Sequence, residues 1–164
     1  MQDRDTLMAI AQIAATFIGF AGVVFAVERS SAGGVSGPER NAILNLLTPS
    51  IAVLFLAFVP LIASTGDAAE ALIWRASNGI LGAIHAFLLA GAFRAAIRSQ
   101  LLEPVPLRFI LLGGGSLAVA ANAAVVLGFA APFAPMVFVA GLVWFLLVSA
   151  IQFVMLIVLH VRAS

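Results

Sequence analysis

Five long apolar runs follow one another along this chain, with only short polar joints between them. They cover residues 7–27, 38–63, 68–98, 107–131 and 135–161. The shortest, the first, amounts to roughly 31 Å of helix at 1.5 Å per residue, which matches the ~30 Å hydrocarbon core of a bilayer. Helices buried in a soluble protein do not come as consecutive full-length apolar runs. Charge points the same way: 63% of the 164 residues are hydrophobic and 9% are charged, where a soluble domain carries about 25% charge. So few charges cannot cover a water-facing surface, and mean hydropathy is +1.19. The expected fold class is an all-α integral membrane protein, a bundle of about five transmembrane helices forming a single domain over residues 1–164.

The joints carry helix start and stop signals. Ser36-Gly37-Pro38-Glu39 offers a capping serine, an early-turn proline and a glutamate at the third helical position. Asp67-Ala68-Ala69-Glu70 reads as the cap of the third helix, with Trp74 as an interfacial anchor. Pro104-Val105-Pro106 opens the fourth helix, and Pro132-Phe133-Ala134-Pro135 is short enough to force helices four and five into an antiparallel hairpin. The first run reads as a retained span and not a cleaved leader. Gln2-Asp3-Arg4-Asp5 is acidic on balance, and the apolar stretch exceeds the ~7–15 residues of a signal peptide.

Orientation rests on arginine, because the chain has no lysine. One side of a five-span arrangement carries Arg4 and Arg75; the other carries Arg29, Arg40, Arg94, Arg98, Arg108 and Arg162. The imbalance predicts an external N-terminus and a cytoplasmic C-terminus, in an inner (plasma) membrane of bacterial type.

Several chemistries are excluded. Cysteine is absent, which removes disulfides, thiolate metal sites and a cysteine nucleophile. No basic patch suits nucleic acid. Gly113-Gly114-Gly115 lies inside an apolar run with no lysine after it, so it is no phosphate loop. There is no Gly-x-Ser-x-Gly elbow, no His-Glu-x-x-His and no intramembrane aspartate pair. Catalysis is not expected, nor is a cofactor or a metal: His85 and His160 lie too far apart in depth for a bis-histidine haem, and no carboxylate sits in mid-span.

Polar side chains inside hydrocarbon are costly, so each needs a partner or a purpose. By depth, Gln12 and Asn122 fall in the outer half, Thr16 and His85 near the middle, and Asn45, Thr48, Ser116, Ser149 and Gln152 in the inner half. Two readings stand: hydrogen-bonded glue between helices, or the lining of a hydrophilic path. Glu28 has a similar choice, between pairing across a short loop with Arg29 and the Glu39-Arg40 step, and a place at a pore mouth. Small residues recur at helical spacing (Ala15, Gly19 and Gly22 on the first helix, Ala86 on the third, Ala124 and Gly128 on the fourth) and mark close helix packing. The first, third and fourth helices are therefore expected at the centre, with the fifth, dense in Leu, Val and Phe, on the lipid-facing periphery. Arg94, Arg98 and Arg108 bracket one loop, where they complement helix ends and can meet lipid headgroups.

Gly19-Phe20-Ala21-Gly22-Val23-Val24 followed by Glu28 resembles, over roughly ten residues, the pore helix of Orai-type calcium channels, which also ends near an acidic residue. The glutamate is displaced, the helix direction is opposite and those channels have four spans, so the chain is not assigned to that family. Two function classes follow from the sequence: an oligomeric channel or transport-type helix bundle, and a structural or accessory subunit that docks onto a larger membrane complex. Both place the chain in a lipid bilayer with other protein subunits around it, as a homo-oligomer or a mixed complex, and neither involves nucleic acid.

Overall fold

The computed structural model describes residues 4–30, 37–97 and 105–163, except for the side chains of residues 27–30, 37–39, 41, 42, 105 and 159–163. Five α-helices account for most of them: α1 (Arg4–Ser30), α2 (Gly37–Ala63), α3 (Glu70–Ile97), α4 (Val105–Val126) and α5 (Ala134–Ala163), with one turn of 3-10 helix at Ala131–Phe133. Each of the five is long and apolar enough to cross a membrane, as an integral membrane protein requires. Among the described residues there are no strands.

Contacts fix the relative directions. The Asn78 side chain reaches the Ala134 carbonyl, and His85 stacks on Phe145 further along, so α3 and α5 run parallel. Gly79 faces Val126 while Gly82 faces Asn122, so α3 and α4 run antiparallel. Ser50 meets Ser149, and Ile43 packs with Leu156, which makes α2 antiparallel to α5. Phe17 and Phe20 meet Phe153, and Val24 joins the Leu156 cluster, which sets α1 parallel to α5. The helices alternate in direction, as successive membrane spans must.

The packing order departs from the sequence expectation. α1 lies chiefly against α2, α2 also packs on α5, and α5 meets α3 and α4, which pack on each other. α5 is thus the central helix, and α1 and α4 stand on opposite flanks. Its Phe138, Leu142 and Phe145 are buried. The expectation failed for a physical reason: in lipid the exterior is as apolar as the interior, so a run of Leu, Val and Phe does not tell one from the other.

The rails of small residues need the same correction. α1 buries Leu7, Ile10, Ala11, Ala14 and Ala21, whereas Ala15, Gly19 and Gly22 face outward. A Cβ at Gly19 or Gly22 would have nothing within 4 Å. Ala86 is exposed and Ala124 half-buried. Gly128 does not extend the α4 rail, because α4 stops at Val126 and not near residue 131. Gly128 adopts φ 92°, a left-handed conformation open to glycine. Its amide donates to the Val125 carbonyl and the Ala130 amide to the Ala124 carbonyl, which closes the helix end. The glycine that does bring backbones together is Gly82, where an added Cβ would stand 2.9 Å from Asn122 Cβ.

Two further details shape the bundle. Trp74 is a core residue and not a surface anchor: it is buried against Phe138, its ring centroid 5.8 Å away, while its indole N–H donates to Glu70 at 3.3 Å. α2 runs unbroken through Pro49 and Pro60, both buried. Each proline withholds one backbone donor, a loss that helix neighbours offset in membrane proteins.

Candidate functional site

Polar side chains in the described interior gather along α5. At its first turn, the Asn78 amide nitrogen donates to the Trp74 carbonyl at 2.8 Å and to the Ala134 carbonyl at 2.9 Å. Both acceptors are carbonyls, so the amide can point only one way round, and its Oδ1 is left buried without a partner. Two turns along α5, Gly141 leaves room for Leu81, His85 and Asn122: a Cβ there would lie 2.8 Å from Leu81 Cδ2, 3.4 Å from His85 Cε1 and 3.6 Å from Asn122 Nδ2. Asn122 donates to the Ala118 carbonyl at 2.8 Å, which again orients the amide and leaves Oδ1 unpartnered.

His85 comes next. Its ring lies on Phe145 with centroids 3.8 Å apart and planes 16° from parallel. The Leu81 carbonyl is one turn back, yet neither ring nitrogen makes a well-directed hydrogen bond. Beyond it, the buried hydroxyls of Ser50 and Ser149 are hydrogen-bonded at 2.9 Å, and Ser50 also reaches the Leu46 carbonyl at 2.8 Å. Gln152 is buried one turn further on and is itself engaged in an interaction. From Ala134 to Gln152 this succession covers about 27 Å of helix, close to the thickness of a hydrocarbon core.

Of the residues singled out from the sequence, His85 and Asn122 come together and Gln152 lies on the same seam. Gln12, Thr16, Asn45, Thr48 and Ser116 do not join it: all five are exposed on the outside of the bundle. Thr16 and Ser116 satisfy their hydroxyls on their own helices, donating to the Gln12 and Leu112 carbonyls at 2.9 and 2.8 Å. Arg94 is exposed near the end of α3, and Arg108 is half-buried with a partner of its own. The Glu28 side chain and Arg98 lie outside the described residues. Sequence reasoning missed the buried Asn78, Ser77 and Ser50. Asn78 had a usable signal, since it precedes His85 by seven residues and so shares its helix face. Ser50 had the signal that marked Thr48 and Ser149, a polar side chain in the middle of an apolar run.

Beside the seam, an open groove of about 310 Å³ runs between α3 and α4. Gly79, Gly82 and Ala83 from α3 and Val119 from α4 line it, together with Asn78 and Asn122. Chemically, the seam offers hydrogen-bond acceptors at the two asparagines and a donor–acceptor pair at His85. Among its described residues, the Ser50 and Ser149 hydroxyls are taken up by each other and by the Leu46 carbonyl. No family model matches the chain, and neither curated proteins nor solved structures gave a match.

Proposed function

We propose that the protein is a transport-type helix bundle that works as a homo-oligomer, with the α5 seam as the route of a small polar solute or ion and no catalytic step. The observation that carries this reading is the succession of buried polar groups from Asn78 to Gln152, with His85 in its middle making no well-directed hydrogen bond beyond the nearby Leu81 carbonyl of its own helix. Unpaired polar atoms in hydrocarbon cost several kcal/mol each. Glue between helices would be satisfied by its partners, as Ser50 and Ser149 satisfy each other; His85 is not. Five helices leave little space for a wide aqueous lumen in one protomer, which favours passage by hydrogen-bond exchange along side chains. The orientation and location that go with this reading are an external N-terminus, a cytoplasmic C-terminus and a bacterial inner membrane.

The test is flux in reconstituted vesicles, followed with a pH-sensitive dye, a potassium-sensitive dye and glycerol-induced light scattering. The expected result is a flux in one of the three that is at least tenfold lower in His85→Leu. No flux above empty vesicles in all three would sink the transport reading. A second reading, an accessory subunit of a larger membrane complex, draws on the outward face of α1, where Gln12, Thr16 and Gly19 are exposed. Co-purification of a different membrane protein in mild detergent, in fixed ratio to this chain, would favour it.

A further inference from the structure

Arg75 carries a positive charge that its own bundle does not neutralise. Its Nε donates to the Val126 carbonyl at 2.6 Å, at the end of α4. That bond leaves the donors of its two terminal nitrogens without a partner among the described residues. The described carboxylates at this end, Asp5, Asp67 and Glu70, make no ion pair with it, and Glu70 accepts from the Trp74 indole instead. Arg75 is exposed and lies about 13 Å from the midpoint of the α3 span, just inside the ~15 Å half-thickness of a hydrocarbon core. From that depth a guanidinium reaches the level of the lipid phosphates.

The α3–α4 groove begins at the same place. Val126, whose carbonyl holds Arg75, is one of its lining residues. Arg75 precedes Gly79, Gly82 and Ala83 by four, seven and eight residues, so all four share one face of α3. From Val126 the groove continues along α4 past Ala123 to Val119, about 10 Å toward the middle of the membrane. Asn78 and Asn122 are 0% and 1% exposed, so the surface the groove shows to the membrane is aliphatic. Its volume of about 310 Å³, spread over that length, gives a cross-section of roughly 30 Å². A helix with its side chains is ~10 Å across, a section of roughly 80 Å², and is too wide to enter. An extended hydrocarbon chain, one methylene wide, does enter.

We propose that Arg75 and the groove form a site for one anionic glycerophospholipid, with its phosphate on the guanidinium and one acyl chain between α3 and α4. The phosphate oxygens accept charge-assisted hydrogen bonds from the terminal nitrogens of Arg75. A headgroup without an amine is preferred, because an ammonium would bring a second positive charge beside one that is already uncompensated. The lipid belongs to the leaflet at the arginine-poor end of the bundle. The site requires neither transport nor a second copy of the chain.

The test is lipid retention by the purified protein, read by native mass spectrometry in a neutral detergent. Dioleoyl phosphatidylglycerol should fill one saturable site, and dioleoyl phosphatidylethanolamine, with the same chains, should bind it several-fold more weakly. Arg75→Gln should weaken the phosphatidylglycerol site by about ten- to hundredfold, the range for hydrogen bonds to a charged group. Arg75→Lys, which keeps the charge and loses the fork, should fall between the two. Ala83→Phe should also weaken it, because the ring takes the place of the acyl chain. Ala83 is exposed, so this variant keeps the protomer intact even if Arg75→Gln does not. Arg94→Gln, at an exposed arginine near the other end of α3, should leave the site unchanged. Equal losses in Arg75→Gln and Arg94→Gln would mean a diffuse lipid annulus and overturn the proposal. Displacement of the lipid by an equimolar amount of inorganic phosphate would overturn it as well, since it would show that the chain contributes nothing. If Ala83→Phe dissociates an oligomer while lipid binding persists, the groove holds a second copy and the lipid site falls.

Discussion

Two adjacent glycines show how local the packing constraints are. A Cβ on Gly114 would run into the Trp144 ring of α5, whereas one on Gly113 would have nothing within 4 Å. Gly114→Ala should therefore destabilise the protein by about 1–3 kcal/mol, the usual cost of overpacking. Gly113→Ala should stay within about 0.5 kcal/mol. Unfolding of the purified protein in mixed micelles by added denaturing detergent would check both; equal effects would mean that α4 and α5 do not meet at this point. The Ser50–Ser149 pair is a second test at this scale. Ser149→Ala removes one interhelical hydrogen bond and should cost about 0.6–1.7 kcal/mol by the same measurement. At this scale the sequence was only partly legible. It gave the intramembrane polar residues by type, and His85 and Asn122 do meet around Gly141. It could not say that Gln12 and Thr16 turn outward, because helical spacing shows which residues share a face and not what that face meets.

At the scale of the helix, the informative case is α5. Its apolarity made it look like a peripheral span, and it is the element that α2, α3 and α4 all pack against. Neighbouring positions should then respond very differently to the same truncation. Leu142 is buried, whereas Val143 is 49% exposed. Leu142→Ala should cost about 2–5 kcal/mol and Val143→Ala well under 1.5 kcal/mol, because lipid chains can fill the space left on an outer face. Equal losses would contradict a central α5. The helices themselves were readable, since five runs of sufficient length and apolarity need nothing beyond the backbone demand for internal hydrogen bonds in lipid. What ended them was harder to read. α4 stops at Val126 because Gly128 takes a left-handed conformation, and the same glycine also fitted a packing rail.

For the whole molecule, orientation turns on where its eight arginines stand. One end of the bundle has Arg4 and Arg75, and Arg75 has a structural use there: its Nε donates to the Val126 carbonyl at 2.6 Å, on the closing turn of α4. A positive charge tied to a helix end is weak support for placing that end in the cytoplasm. The other end carries Arg29, Arg40, Arg94, Arg108 and Arg162 among the described residues, the kind of bias that sets cytoplasmic sides. The α2–α3 turn, where Thr65 and Gly66 are exposed, belongs to the arginine-poor end. Because the chain has no cysteine of its own, Thr65→Cys and a cysteine added after Ser164 can be labelled separately in intact cells with a membrane-impermeant thiol reagent. Thr65→Cys should react from outside, and the C-terminal cysteine only after the cells are opened. The reverse pattern would invert the whole bundle, because five alternating helices leave no way to turn one end without the other.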